Sequence, residues 1–297
     1  MESGSPLRHE FLDPFFDAMP FEDEYLEVNR ANWDARVPIH LTAYELEQFR
    51  RDSDYLSRVV RFDLARLPDV NGLRGIHLQC HIGTDTVSLA RLGARMTGLD
   101  FSPAAIAAAR NLSEELGAGI SYVESEFYQA LVNLEKVGVQ QGFDFAYTGI
   151  GALCWLPDIR GWAQTISELL KPGGFLFVRD GHPMLWSLDD SQPDGSLKVG
   201  HDYFGGRGIY FEEEFTYAGE GRVSSPGSFS FNHSLSEIFN ALWASGMRID
   251  TFEEHDSVPW NPLGEEFELD DTAGEWRLKD NPARLAASYT IVAWRES

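Results

Sequence analysis

The residues of this chain with the means to do chemistry fall at a few punctuated places: His77 and His81 in HLQCHIGTDT, Asp100 at the end of RMTGLD, Glu126 after ISYVES, and His182 after FLFVRDG. His77 and His81 are four apart, a spacing that would bring both imidazoles to one metal ion on a helix. Here the stretch reads as strand and loop, and the glutamate of H-E-x-x-H is missing, so no metal is expected. Asp100 offers two acceptor oxygens, enough for both hydroxyls of a ribose. It lies about as far past the preceding loop as the acid of a nucleotide-binding unit should, roughly 20 residues. Asp100-Phe101-Ser102-Pro103 also reads as a helix start, with Ser102 as N-cap and Pro103 in the first turn. Assigning Ser102 to the cap leaves Asp100 for a ligand. An imidazole at His182 titrates near neutral pH and stands just past a strand, which suits a general base and suits a structural hydrogen bond equally.

These groups must be held by a scaffold, and Gly75 to Ala109 supplies its centre. The stretch reads as a short apolar strand (Ile76 to Cys80), a loop around Gly83, a helix (Asp85 to Leu92), a second strand (Arg95 to Leu99) ending in Asp100, and another helix. In such a β-α-β unit the loop after the first strand sits at the carboxyl edge of a parallel sheet, with backbone N–H groups and the positive end of a helix facing a ligand. The spacing G-x-G-x-x-G is absent, which argues against a nicotinamide or flavin enzyme.

The run LARLGARMTGLDFSPAAIAAAR resembles the second half of the nucleotide unit in class I S-adenosylmethionine-dependent methyltransferases, in which an acid is followed by "SP" and an Ala-rich helix. Aligned on it, HLQCHIGTDT falls on that family's first motif. His77 then stands in place of the usual acid, Gln79 and His81 stand on the first two glycines, and Gly83 keeps the third. GIGALCWLPDIRGWAQTISELLKPGG is similar to the fourth motif and its ending before strand five. The matched region covers roughly Gly75 to Pro183. The resemblance implies S-adenosylmethionine as cofactor and methyl transfer to a small-molecule O, N or C acceptor. It also implies a cofactor site drawn from Trp33, Gln79, His81, Gly83, Asp100, Phe101, Ser102, Glu126, Phe127, Gly149 and Ile150. Glu126 with Phe127 would meet the adenine, with Glu124 as the competing acid. Trp33, with Arg36 beside it, would lie over the cofactor in an N-x-x-W helix, or would be an ordinary helix-packing contact. The replaced glycines keep a second function open, a non-catalytic S-adenosylmethionine-binding protein with an eroded first motif.

Composition sets bounds on partners. The chain has 297 residues and 43% hydrophobic content, enough to bury a sizeable core. Against 47 Asp and Glu there are 24 Lys and Arg, a formal net charge of -23. Phosphate-binding surfaces need an excess of cations, so nucleic acid and anionic membranes are not expected partners. A small neutral or cationic acceptor is. No apolar run reaches the roughly 20 residues of a membrane span. MESGSPLRHEF lacks the basic and apolar regions of a signal peptide, which predicts a cytoplasmic protein. Cys80 and Cys154 are the two cysteines and are expected as buried thiols. A monomer or homodimer is expected.

Taken together, the sequence predicts an α/β fold: a Rossmann-like seven-stranded, mostly parallel sheet with helices on both faces, a helical N-terminal extension and a small antiparallel insertion after strand five. The expected divisions are a helical cover (1–70), a cofactor-binding core (71–183), inserted cap strands (184–231) and the C-terminal part of the sheet (232–297). FLDPFFDAMPFEDEYLEV reads as an irregular segment laid on the body. In the insertion, Tyr203, Phe204, Tyr210 and Phe211 either line an acceptor pocket or cover the sheet, and Glu212 to Glu214 reads as a solvated edge. Ser234 and Glu237 form a capping box ahead of a helix that Gly246 stops. The last strand, AASYTIVAWRE, is expected at the sheet edge. Glu253 to Asp280 shows no periodicity and reads as a long loop.

Overall fold

The computed structural model describes residues 22–189, 192, 194–205 and 208–296. It begins on α1 (Glu22–Ala43), with α2 (Leu46–Arg51) and α3 (Arg58–Asp63) following. Strands and helices then alternate: β1 (Arg74–Leu78), α4 (Thr84–Arg91), β2 (Arg95–Asp100), α5 (Pro103–Leu116), β3 (Ser121–Glu124), α6 (Ala130–Lys136), β4 (Phe143–Thr148), α7 (Ile159–Leu169) and β5 (Leu170–Gly181). After the short α8 (Pro183–Trp186) come β6 (Ile209–Glu212), β7 (Gly227–Ser230), α9 (Leu235–Ala244) and β8 (Met247–His255). The chain ends with β9 (Ser257–Val258), β10 (Phe267–Asp270), β11 (Glu275–Leu278) and β12 (Ser288–Arg295).

Seven strands form the main sheet in the order β3-β2-β1-β4-β5-β12-β8. The first five run parallel, and β12 runs against both of its neighbours, β5 and β8. The expected seven-stranded, mostly parallel sheet is therefore present. Both faces are covered. One carries Ile76, Leu78, Leu176 and Val178 against Trp162 and Ile166 of α7 and Leu242 of α9; the other carries Phe145, Tyr147, Phe175 and Phe177 against Val60 and Leu89. Strands buried on both faces read as continuous apolar runs, which is why β4 and β5 were legible.

Three expectations need correction. The last strand is not at the edge: six residues of β12 are buried in succession, so it needs cover on both faces and lies between β5 and β8. The edge is β8, whose residues alternate toward solvent. Residues 253–280 are not one loop either. They finish β8 and build a three-stranded antiparallel sheet, β10-β11-β9, from strands too short to carry a period. The irregular segment expected over residues 11–28 is helical from Glu22 onward, and its earlier part lies outside the described residues.

The insertion after β5 contains the expected antiparallel pair, β6 with β7. Phe204 and Tyr210 are exposed on it, so neither lines an internal pocket. Helix α1 bridges this cap and the core. Asn29 exchanges two hydrogen bonds with the backbone of Phe229 in β7 (3.0 and 2.7 Å), and Asn32 donates to the Ser225 carbonyl (2.8 Å). On the core side, Asp34 accepts from Ser102 Oγ (2.5 Å) and from the Ala104 amide at the start of α5 (3.2 Å).

Candidate active site

The loop between β1 and α4 is wound left-handed at alternate residues: φ is +57° at Gln79, +47° at His81 and +82° at Gly83. A non-glycine residue in that region is strained by about 1–2 kcal/mol. The path demanded by the missing glycines is thus retained without them. Two fixtures hold it. The Cys80 amide donates to the Leu99 carbonyl (2.9 Å), and the His81 amide donates to Asp100 Oδ2 (2.8 Å). Asp100 Oδ1 accepts from the Ser102 amide (2.9 Å). Burial pushes the Asp100 carboxyl up to about 6 against the pull of these amides, so it is largely ionised above neutral pH. Gly83 caps α4, and a Cβ there would lie 2.5 Å from the Tyr122 hydroxyl and 3.0 Å from the Ala109 Cβ, leaving no room for a side chain.

Beside the loop lies a narrow cavity whose lining includes Gln79, Asp100, Phe101, Glu126 and Phe127 from the sheet edge. Tyr25 and Asn29 of α1 and Trp155 after β4 complete its walls. Five of the eleven sequence-predicted cofactor residues thus meet on one cavity. Glu126 reaches it while already capping a turn, accepting from the amides of Tyr128 (2.9 Å) and Gln129 (3.0 Å). Glu124 is exposed at the end of β3 and is not part of the lining.

The remaining predicted residues are placed differently. Trp33 and His81 stand beside the cavity, their rings 5.0 Å apart, with Trp33 also 5.4 Å from Trp155. Ser102 is fully buried as the α5 cap, its Oγ accepting from the Ala105 amide. Gly149 lies below the loop: a Cβ added there would meet Asp85 Oδ2 at 3.5 Å and His77 Nε2 at 3.6 Å. Ile150 packs with Leu185, Leu188 and Val258 in a separate apolar cluster. His182 caps α8. Its Nδ1 accepts from the Met184 amide (3.0 Å) and its Nε2 pairs with Glu254 of β8 (3.1 Å). Both ring nitrogens are engaged on the β8 side of the sheet, so His182 is a structural cap here and not a base at the cavity. His77, in the place of an acid, is buried against Thr86 Oγ1 (2.8 Å), and desolvation lowers it to about 3, which keeps it neutral. Among the described residues no cluster of three metal-ligating side chains occurs.

Of a polar stripe on α1 the sequence singles out only Arg36. Asn29, Asn32, Arg36 and His40 recur at helical spacing and all four are buried. A search for apolar periodicity skips such a face, although a polar stripe with the same period is its own signal. Arg36 stacks on Trp33 (5.1 Å) and Trp155 (5.5 Å), and its ion-pair partner Glu213 is 3.9 Å away and exposed. Four buried polar atoms around the loop and this stripe have no hydrogen-bond partner: Gln79 Oε1, His81 Nδ1, Asn32 Oδ1 and Arg36 Nε. Buried polar groups normally find partners, and these four are the ones of their kind that border the loop and α1; others, such as Thr148 Oγ1 and Trp162 Nε1, lie elsewhere in the core.

An open α/β sheet with its crevice at the carboxyl ends of β1 and β2, roofed by an N-terminal helix, defines the Rossmann-like nucleotide-binding class. Residues 76–176 match the family model described as a methyltransferase domain. Over 108 residues the chain is 32% identical to a ubiquinone biosynthesis O-methyltransferase of Xanthomonas axonopodis pv. citri (strain 306), covering 36% of this chain and 42% of that protein. It thus spans less than half the length of that relative. An S-adenosylmethionine-dependent methyltransferase of Mesorhizobium loti superposes with a TM-score of 0.56 at 21% identity, covering 80% of this chain and 98% of that one. The cyclase SpnF does so with a TM-score of 0.54 at 15% identity, covering 92% and 96%. Residues 76–176 are thus similar to a methyltransferase domain, and the chain shares its fold with S-adenosylmethionine-dependent methyltransferases of known structure.

Proposed function

We propose that this protein is an enzyme that transfers a methyl group from S-adenosylmethionine to a small-molecule acceptor. The observation that carries the reading is the left-handed loop at Gln79 and His81, pinned to Asp100 and bordered by unpartnered polar atoms. Strain of this kind persists where the surroundings enforce it and clusters at functional sites. It also counts against a merely eroded motif, since a loop released from its ligand has no reason to keep two costly residues left-handed.

The residues present fit the cofactor. Asp100 retains lone pairs for ribose hydroxyls beyond those it uses on the loop, and Phe101 and Phe127 offer flat apolar walls for a base. Gln79 Oε1 and the Arg36 guanidinium offer an acceptor and a cation to an amino-acid group. When bound, S-adenosylmethionine supplies an electrophilic methyl group on a sulfonium. The chain's contribution is alignment of donor and acceptor, together with exclusion of water by α1 and the cap. Helix α1 is suited to this because it is tied at once to β7 through Asn29 and to α5 through Asp34.

The named relative methylates oxygen, which supports a hydroxyl acceptor. The net charge of -23 favours a neutral or cationic acceptor over nucleic acid. No described helix is long and apolar enough to cross a membrane. A cytoplasmic monomer or homodimer is the rest of this proposal. Calorimetric titration with S-adenosylhomocysteine, with NADH as a control, tests the cofactor assignment. Saturable binding of the former alone is expected, and no binding of it would overturn the proposal. Because a cyclase shares the fold, methyl transfer itself must be measured with an acceptor.

A further inference from the structure

A second polar assembly lies where α1, the cofactor loop and the cap meet. His40, buried on α1, contacts His81 through Nδ1···Nε2 (2.8 Å) and Thr216 of the cap through Nε2···Oγ1 (2.8 Å). His81 Nδ1, the far end of the chain, is buried and has no partner. Thr216, the near end, is half-buried between the exposed Phe215 and Tyr217. Aromatic rings enclose the path: Trp33 and Tyr44 lie 5.0 and 5.9 Å from the His81 ring, and Tyr44 stacks on His40 at 4.9 Å.

We propose that His81, His40 and Thr216 form a proton relay that removes the proton from a hydroxyl acceptor and delivers it to solvent at the cap. This rests on the methyltransferase reading and adds the route of the proton to it. One tautomeric arrangement starts the step: His81 carries its proton on Nε2 and donates to His40 Nδ1, while His40 donates from Nε2 to Thr216, leaving His81 Nδ1 as a bare lone pair. The acceptor oxygen's electron pair forms the new O–C bond, and the C–S bond breaks with its pair left on sulfur. The hydroxyl proton passes to His81 Nδ1, the Nε2 proton of His81 passes to His40 Nδ1, and that of His40 passes to Thr216. Thr216 releases its own proton to water. Both imidazoles end neutral with their tautomers reversed, and the chain resets when His81 Nδ1 yields its proton to water in the vacated site and Thr216 returns one.

The surroundings suit a relay in which no imidazolium accumulates. Around the pair stand Arg36 of α1, Tyr44 just past its end and Tyr217 of the cap; beyond them Asp85 of α4 acts on Tyr44, and Glu213 of the cap pairs with Arg36. Burial, helped by Arg36, lowers His40 to about 3; burial, then His40 and Arg36, holds His81 well below its ordinary value. His81 is the catalytic residue of this scheme, and His40 and Thr216 are positioning residues.

The first test needs neither cofactor nor acceptor. In the ¹⁵N-labelled protein, a two-bond nitrogen–nitrogen coupling between His40 Nδ1 and His81 Nε2 is expected, with neither ring titrating between about pH 5 and 8. A missing coupling, or a ring titrating near 6.5, would overturn the relay. Catechol and protocatechuate then serve as acceptor probes after calorimetry has established binding of S-adenosylhomocysteine. The parent is expected to methylate at least one probe, with a rate nearly flat over that pH range. His40→Gln is expected to lose about 10²-fold or more and to regain roughly tenfold per pH unit as the probe ionises by itself. A uniform loss without that slope assigns His40 a structural role and overturns the relay. If His40→Gln fails to fold, Thr216→Val makes the same comparison at the solvent end. Cofactor binding without methylation of either probe overturns the hydroxyl assignment. Absence of cofactor binding removes the underlying function instead, so the two failures are distinct.

Discussion

Gln79→Gly restores the residue that related loops carry, and it separates what this position does for the fold from what it does for the ligand. Gln79 sits at φ +57°, its Nε2 donates to the Ala152 carbonyl at 3.0 Å, and its Oε1 is buried without a partner beside the cavity. Glycine relieves about 1–2 kcal/mol of left-handed strain. It also removes the penalty of an unmet buried oxygen, about 1–3 kcal/mol, and forfeits a hydrogen bond worth about 0.5–1.5 kcal/mol. The flexible unfolded chain costs a further 0.5–1 kcal/mol or about that. The balance is neutral to stabilising by about 1–2 kcal/mol, to be read by urea denaturation of the ligand-free protein. Affinity should move the other way. If Oε1 receives a cationic donor of the ligand, its loss costs about 1.5–3 kcal/mol, on the order of 10–100-fold in the dissociation constant of S-adenosylhomocysteine. A variant that binds as tightly as the parent would show that the oxygen has no ligand duty. A variant destabilised by more than about 3 kcal/mol would show that the strain and desolvation terms are misjudged.

Three further outcomes follow from the same geometry. His182→Ala should leave turnover per folded molecule unchanged and lower stability by about 1 kcal/mol through loss of the α8 cap; a large fall in kcat would return His182 to the chemistry. Arg179→Leu strands Glu275, since the two form a fully buried pair at 2.6 Å joining β5 to β11, and should cost about 3–5 kcal/mol in denaturant unfolding. A loss below about 1 kcal/mol would mean the carboxylate finds water or a proton. Asp63, buried under the Tyr147 hydroxyl (2.5 Å), is pushed up to about 7 by desolvation. A carboxyl whose folded value is raised stabilises the fold fully below its unfolded value, near 4, and loses that contribution as pH rises through about 7. Stability of the parent relative to Asp63→Asn should therefore fall between about pH 4 and 8, and parallel profiles would contradict the assignment.

Much of this molecule is legible in the chain itself. The strand-loop-helix order from Gly75 to Pro183, the Ser102 cap, the Asp158 cap of α7 and the Ser234 capping box depend on neighbours a few residues away. The sheet-edge placement of Gln79, Asp100, Phe101, Glu126 and Phe127 followed too, because parallel strands with helical crossovers bring their carboxyl ends to one crevice. The fate of each polar group was decided only by packing across the chain. His182 lost the role of base because Glu254, 72 residues on, engages its second nitrogen. Glycine's conformation was enforced on Gln79 and His81 by contacts with Ala152 and Asp100. His40 gained a role from His81 and from Thr216, 176 residues away. Local propensity and period determine which elements form and in what order. Hydrogen-bond partners at long sequence separation, and the desolvation that comes with them, determine which side chains are left free to act.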